Sequence, residues 1–188
     1  VDIDGSTCIS SIQDAIDDAN DGDVIIVAPG TYYENIRLGE RPLVLTSEDP
    51  YDPNIVAATI IDGNQPSDPC EGATITVLPG ADPNCVITGF TITGGTGNYR
   101  EGWKDEQSHW GGGFCVEPNA SPTITRNVIT GNIAGRGGGN VWCGYNCRAI
   151  ITWNTITDGE AFGKDSNSYK TGFAGGIYCE NDEGDDPN

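Results

Sequence analysis

The sequence has no methionine, a single histidine and no apolar run long enough to span a bilayer. A transmembrane helix needs about 20 predominantly apolar residues in succession, so membrane insertion is not expected. Apolar residues make up only 36% of the 188 residues, against 27 glycines and 11 prolines. That composition is typical of many short strands joined by turns rather than of a helical bundle. The length suits one domain spanning 1–188, and we expect that domain to be β-rich.

Basic residues are also scarce. Nine Lys and Arg residues face 28 Asp and Glu residues, which gives a formal net charge of −19. Such an excess repels nucleic acid and anionic membrane surfaces at long range, so neither is an expected partner. An acidic surface can hold Ca²⁺ through carboxylate and carbonyl oxygens. The alternative is a solvated acidic surface that requires no cofactor, and the metal stays a secondary hypothesis.

The sequence lacks the paired cysteine and histidine spacing of a zinc site, yet it contains seven cysteines. This density predicts an oxidising environment and therefore an extracellular or cell-surface location. The chain shows no signal peptide, and we interpret it as a mature form that begins at Val1. The odd number leaves at least one thiol unpaired or paired with another chain. Connectivity stays open among the disulfide candidates, which are Cys8, Cys70, Cys85, Cys115, Cys143, Cys147 and Cys179.

Periodicity predicts one short helix followed by strands. Within 10–20 the apolar residues recur at helical spacing, with Ser10 and Gln13 placed as a capping box and Gly22 as a stop. Later β-branched runs are separated by Pro, Gly, Asn and Asp, which is typical of strands and turns. The predicted strands are Val24 to Ala28, Leu43 to Thr46, Val56 to Ile61 and Ala73 to Leu78.

Two sequence patterns repeat in the same order along the chain. The form I-T-x-x-x-I-T begins at Ile87, Ile124 and Ile151, at offsets of 37 and 27 residues. An aromatic residue followed by cysteine ends the second pattern, at Cys115, Cys143 and Cys179. Self-similarity of this kind predicts one structural unit, or coil, stacked on its neighbours.

Each coil is expected to hold two or three short strands that pair in parallel with their equivalents one coil away. Equivalent side chains then form ladders: Ile87, Ile124 and Ile151 in one, and Ile92, Ile129 and Ile156 in another. Asn127 and Asn154 are expected to form an asparagine ladder. Cys115, Cys143 and Cys179 are expected at equivalent positions, either as disulfides between coils or as buried thiols, and Cys143 with Cys147 closing a small loop is a third alternative.

These residues resemble the pectin-lyase-like superfamily, and in particular its bacterial secreted β-helix repeat proteins. The stretch from Ser11 to Ile16 and on through Gly22 to Tyr32 is similar to that group's opening segment, and Ser121 to Ile124 is similar to a repeat phrase. The resemblance implies an all-β, right-handed parallel β-helix with a short α-helix capping its N-terminal end. The superfamily includes pectate lyases and polygalacturonases.

The hydrolase motifs of that superfamily are absent from this sequence. Asn154-Thr155 is followed by Ile156 where the resemblance would require Asp, and His109 lies between Ser108 and Trp110 rather than between glycines. A lyase would need an Arg or Lys base beside acidic Ca²⁺ ligands, and no motif marks one. We therefore assign no catalytic residue, and His109 alone is more typical of a loop histidine than of a base.

Two insertions, 94–110 and 158–173, lengthen their coils at the same point of the repeat, so both loops are expected to project from one edge. Aromatic rings favour sugar faces and interfaces, and cations can meet carboxylates, so a glycan or protein contact is one interpretation. The other is that the loops bury their own rings. The residues proposed for the contact are Tyr99, Arg100, Trp103, Lys104, His109, Trp110, Lys164, Tyr169 and Lys170. Asn119 begins a glycosylation sequon.

The acidic tail 181–188 offers no apolar cap to the last coil. Either the natural chain continues, or another subunit covers that end, and head-to-tail stacking would then build a filament. The expected function is a non-catalytic extracellular structural or surface solenoid, self-assembling end to end or acting as an adhesin. The alternatives are a polysaccharide-lyase-like enzyme and a glycan-binding module.

Overall fold

The computed structural model describes residues 1, 9–39, 41–100, 109–162 and 172–180, and all structural statements below concern these residues. Within them the chain is mostly β, with few and short helices. Several predictions fall outside the described residues: those on the tail 181–188 and on Cys8, Trp103, Lys104, Lys164, Tyr169 and Lys170.

The chain begins with helix α1 (Ile12–Asp18), and the strands follow in short segments. A second helix, α2 (Pro53–Ala58), interrupts them. The strands are β1 (Val24–Val27), β2 (Gly30–Tyr32), β3 (Ile36–Leu38), β4 (Val44–Ser47), β5 (Thr59–Asp62), β6 (Glu71–Gly72), β7 (Ile75–Val77), β8 (Val86–Thr88), β9 (Thr91–Thr93), β10 (Gly97–Tyr99), β11 (His109–Trp110), β12 (Phe114–Val116), β13 (Thr123–Thr125), β14 (Val128–Thr130), β15 (Ile133–Ala134), β16 (Val141–Cys143), β17 (Ile150–Thr152), β18 (Thr155–Thr157), β19 (Glu160–Ala161) and β20 (Ile177–Cys179).

Most of these strands form three parallel sheets of five strands each. The first sheet has the order β1-β4-β8-β13-β17, the second β2-β5-β9-β14-β18, and the third β3-β7-β12-β16-β20. Each sheet therefore takes one strand from each of five successive passes of the chain. This arrangement is solenoid-like, with three strands to a coil, and it agrees with the predicted parallel stacking.

The predicted isoleucine ladders are confirmed. Ile124 pairs with Ile87 on one side and with Ile151 on the other, and Ile129 lies between Ile92 and Ile156 in the same way. Ile124 and Ile129 are fully buried. Burying one such side chain stabilises the fold by about 1.5–3 kcal/mol, so each buried isoleucine of the ladders adds a contribution of that size.

The asparagine ladder is also confirmed. The Asn127 side chain donates to the Asn154 Oδ1 at 3.2 Å and to the carbonyl of Ile87 at 3.0 Å. Its own Oδ1 accepts from the backbone N–H of Phe90 at 3.0 Å. Asn127 is 1% exposed, so these bonds satisfy backbone groups that water cannot reach.

Two boundary predictions were wrong. Ser11, not Ser10, caps α1, since its hydroxyl accepts from the Asp14 N–H at 3.2 Å. The Glu34 carboxylate accepts from the N–H groups of Ile12 and Gln13 at 2.9 Å each, so the helix start is satisfied by a residue distant in sequence. The predicted strand 56–61 begins in α2, because Asp52 caps a helix there with Pro at its first position, where proline is favoured.

The predicted equivalence of Cys115 and Cys143 was wrong by one residue. Cys115 pairs with Trp142, and Cys143 pairs with Val116. Because successive side chains of a strand point to opposite faces, a slip of one residue moves a side chain to the other side of the sheet. Cys143 accordingly lies in the main core, and Cys115 lies in a separate cluster. Cys143 and Cys179 do pair in register, as predicted.

Candidate binding surface

The outer side of the third sheet carries a second, smaller apolar cluster. Cys115, Trp142 and Tyr178 occupy equivalent positions on β12, β16 and β20 and pack away from the main core. Trp110 and Ala73 also belong to the cluster. These side chains need a covering layer, because they stand on the face of the sheet that does not line the interior.

A small antiparallel sheet formed by β6, β10 and β11 provides part of that layer. Asn98 in β10 connects this small sheet to the third sheet through two hydrogen bonds. Its side chain donates to Thr76 Oγ1 at 2.8 Å and accepts from the Ala73 N–H at 2.9 Å. The described ends of the first insertion, 94–100 and 109–110, thus pack on the coils, while 101–108 lies outside the described residues.

Trp110, Gly137 and Phe173 occupy equivalent positions on three successive coils. The rings of Trp110 and Phe173 are nearly parallel, with centroids 6.4 Å apart. A Cβ on Gly137 would lie 2.8 Å from the Trp110 ring, so only glycine leaves room for the indole. Tyr178 also approaches Phe173, with ring centroids 5.3 Å apart.

Arg100 contacts both an aromatic ring of this group and a carboxylate. Its guanidinium lies 4.3 Å from the centroid of the Trp142 ring and forms an ion pair with the Glu117 carboxylate at 2.8 Å. Both ionic side chains are largely buried, so the pair is only partly screened by solvent. The arrangement holds the cation over the indole face, which is the geometry of a cation–π contact.

Tyr99 and His109 lie side by side at the rim of this group. Their ring centroids are 5.7 Å apart in an edge-to-face arrangement. Burial lowers the pKa of His109, and a backbone hydrogen bond at Pro69 opposes this in part. The imidazole is therefore neutral near pH 7, and it adds a polar edge rather than a charge.

We call this group the aromatic–arginine surface. Its buried base is formed by Trp110 and Trp142, each 1% exposed, while Tyr99 and Phe173 are each 37% exposed. Four residues predicted from the sequence do come together here: Tyr99, Arg100, His109 and Trp110. The prediction missed Glu117, Trp142, Phe173 and Tyr178, although the 27-residue offset of the repeat, applied to Cys115, leads directly to Trp142.

The last described coil exposes apolar side chains that earlier coils bury. Ile177 in β20 is 39% exposed, whereas its register partner Val141 is fully buried. Ile150, on the outer face of the first sheet, is 45% exposed, and Trp153 nearby in sequence is 81% exposed. The strands β17, β18 and β20 stand at the ends of their sheets.

The six described cysteines are thiols in this structure. Cys85, Cys115 and Cys143 are buried, Cys147 is half-buried, and Cys70 and Cys179 are exposed. Asn119 is exposed, with a φ of 66°, and its side chain accepts from the Asn146 amide at 2.7 Å. Glycosylation at its sequon stays a prediction.

Among the described residues, no group of three or more His, Cys, Asp and Glu side chains is arranged to hold a metal ion. None of the described helices has both the length and the apolar character to cross a membrane. Comparison of the chain with protein-family models, with curated proteins and with solved structures gave no match in any of the three.

Proposed function

We propose that this chain is a non-catalytic solenoid of the extracellular or cell-surface space that acts as an adhesin, binding a glycan at the aromatic–arginine surface. The observation that carries the proposal is the gathering of aromatic rings from four separate segments onto one side of the third sheet, beside Arg100. A buried aromatic base with partly exposed rings at its rim is the usual composition of a contact surface.

A neutral glycan fits this surface best. Tyr99 and Phe173 expose part of their rings, and aromatic rings pack well on the C–H faces of sugars. The net charge of −19 disfavours the approach of a polyanionic glycan, and Glu117 already neutralises Arg100. The ring N–H of His109 and the Arg100 guanidinium would then donate hydrogen bonds to hydroxyl groups of the glycan.

The contacts of Arg100 favour a non-catalytic role over a polysaccharide lyase. A lyase base must be free to take a proton from the substrate, whereas Arg100 is held by the Glu117 carboxylate and the Trp142 ring. The resemblance to pectin-lyase-like proteins supports a proposal for the fold but not for an activity.

On that resemblance we propose that the coils are right-handed, which is the hand that parallel crossovers almost always take. We also propose that α1, which contacts β1 and β3, caps the N-terminal end of the solenoid.

Affinity electrophoresis through gels containing xylan, galactan or hydroxyethyl cellulose tests the binding. At least one polysaccharide should retard the wild-type chain, and Tyr99→Ala or Phe173→Ala should weaken that retardation about tenfold, as expected for one lost stacking contact. Tyr33→Ala removes a ring that is 59% exposed outside this surface and serves as the matched control.

Equal loss with Tyr33→Ala, or no retardation in any gel, would refute the glycan proposal. A parallel incubation with polygalacturonate and Ca²⁺ tests the enzyme alternative. Unsaturated product that disappears in Arg100→Ala would favour the lyase and overturn the non-catalytic proposal.

The last coil favours a second candidate function, end-to-end self-association with another copy of this chain. The exposed ends of the apolar ladders and the end strands β17, β18 and β20 are features that a further coil would cover. Light scattering over a range of concentrations should then show assemblies that Ile177→Lys disperses, because Ile177 continues the position that Val141 buries one coil earlier. Ile133→Lys is the matched control, since Ile133 is 39% exposed but lies on β15. A clean monomer at high concentration would exclude this candidate.

A further inference from the structure

Cys143 lies in the main core and has two neighbouring cysteines near the last described coil. Cys143, at the end of β16, is 4% exposed and pairs in register with Cys179 of β20. Cys147 follows four residues later, after a tight turn in which its N–H donates to the Gly144 carbonyl at 3.3 Å. Cys143 therefore stands between one thiol on its own segment and another on the next coil.

The thiols of Cys143 and Cys147 interact, and this interaction shifts their pKa values in opposite directions. Donation to Cys147 raises the pKa of Cys143, and burial and the neighbouring Cys179 raise it further. The same bond lowers the pKa of Cys147 against the opposing effects of burial and of the Glu117 charge. Loss of a proton is therefore easier at Cys147 than at Cys143.

We propose that Cys143 and Cys147 form an oxidation site, at which a small disulfide such as oxidised glutathione converts the two thiols into one intramolecular disulfide while Cys179 stays a thiol. Half-buried Cys147 is accessible to such a reagent, whereas buried Cys143 is not. The pair also lies on one continuous segment closed by a turn, so the bond requires no movement of one coil relative to another. This inference does not depend on the glycan proposal.

The reaction proceeds in two exchange steps. The Cys147 thiolate attacks one sulfur of oxidised glutathione, the S–S bond of that molecule breaks, and one glutathione leaves and takes up a proton. Cys143 then loses its proton to solvent and attacks the Cys147 sulfur, which expels the second glutathione. Two protein thiols are oxidised to one disulfide, and one oxidised glutathione is reduced to two thiols.

Peptide mapping tests the assignment on the full chain. The protein is equilibrated with excess oxidised glutathione, remaining thiols are alkylated, and the unfolded chain is cut with chymotrypsin. Cleavage after Tyr145 places Cys143 and Cys147 on separate peptides, and cleavage after Tyr178 frees Cys179 from the preceding chain. We expect the Cys143 peptide linked to the Cys147 peptide, and the same yield of that link in Cys179→Ser. A link from Cys143 to any other cysteine, or Cys143 and Cys147 both remaining thiols, overturns the proposal.

The alkylation rate of Cys147 as a function of pH provides a second readout. In Cys143→Ala the hydrogen-bond donor is lost, so the midpoint of the Cys147 profile should move to higher pH. Cys143→Ser restores a donor and should return the profile toward that of the wild type. Cys115→Ala removes a buried thiol from the separate outer cluster and should leave the profile unchanged. A midpoint that does not rise in Cys143→Ala contradicts the assigned roles.

Discussion

Replacing Asn127 by alanine removes the more buried of the two members of the asparagine ladder. The substitution deletes three side-chain hydrogen bonds, of 3.0 Å to Ile87, 3.0 Å from Phe90 and 3.2 Å to Asn154. Asn154 keeps two partners, because its Oδ1 also accepts from the backbone N–H of residue 127 at 2.9 Å and its amide donates to the Ile124 carbonyl at 2.8 Å. The two groups left without this partner are the carbonyl of Ile87 and the N–H of Phe90, both in fully buried residues.

Each buried group left unsatisfied costs about 1–3 kcal/mol, so the expected loss in the free energy of unfolding is about 3 kcal/mol. For a chain of this length, 1 kcal/mol corresponds to about 2–4 °C in Tm, so Tm should fall by about 6–12 °C. The cost arises in the interior between coils, where water cannot replace the lost bonds.

Urea unfolding followed by tryptophan fluorescence measures this loss, with calorimetry for Tm. Asn64→Ala is the matched control, since Asn64 is exposed and, within the described part of the chain, its side chain bonds only to Asp62, at 3.3 Å. The control should lie within about 0.5 kcal/mol of the wild type. If Asn127→Ala destabilises no more than Asn64→Ala, the ladder does not hold the coils together as argued.

Two further predictions concern packing and ionisation. Gly95→Ala should destabilise the chain by about 1–3 kcal/mol in urea unfolding, because the added Cβ would clash with the carbonyl oxygen of Gly112. Gly176→Ala is the control and should be neutral, since a Cβ there has no other atom within 4 Å. Equal effects would refute the close packing of these coils. Burial, and then the charge of Asp82, raise the pKa of Cys85 from 9.0 to about 12. The folded state keeps this proton while the unfolded state releases it, so the free energy of unfolding should fall between pH 9 and pH 12, and should fall less in Cys85→Ala. Identical slopes for the two proteins would contradict the burial of this thiol.

The parallel stacking could be predicted from the sequence because the later coils are nearly identical. Ile-Thr pairs recur at Ile124 and Ile151 without an insertion between them, so the register follows from the spacing. The earliest coils are harder, since Leu45 and before it Ile25 stand in the place of Ile87, and the Ile-Thr pair is not repeated there. Repeats therefore predict the middle of such a fold better than its beginning.

The error at Cys115 has a clear physical origin. The prediction aligned neighbouring aromatic residues by their chemical likeness, whereas the sheet aligns positions by the face toward which they point. Phe114 lies in the interior and pairs with Val141, while Trp142 lies outside and pairs with Cys115. Applying the 27-residue offset of the Ile-Thr pattern would have given the correct register.

The covering layer over the third sheet could not be predicted. Its strand β6 has only two residues, Glu71 and Gly72, which carry no alternating pattern. Its contacts depend on Asn98, a polar residue whose buried partners are distant in sequence. Contacts of this kind arise from the folded arrangement of the coils rather than from any local signal.

The distance between Val24 and Ile150 tests the stacking of the coils most directly. The two residues lie on the outer face at opposite ends of the first sheet, and they are 57% and 45% exposed, so each tolerates a spin label. Four strand-to-strand steps separate them, which at about 4.8 Å each gives about 19 Å between their Cα atoms. Labels attached through ketone side chains leave the native cysteines untouched, and pulsed electron spin resonance reads the distance. A single narrow distribution consistent with that separation is the predicted result, and a mean distance twice as long, or a broad spread, would contradict the stacked arrangement.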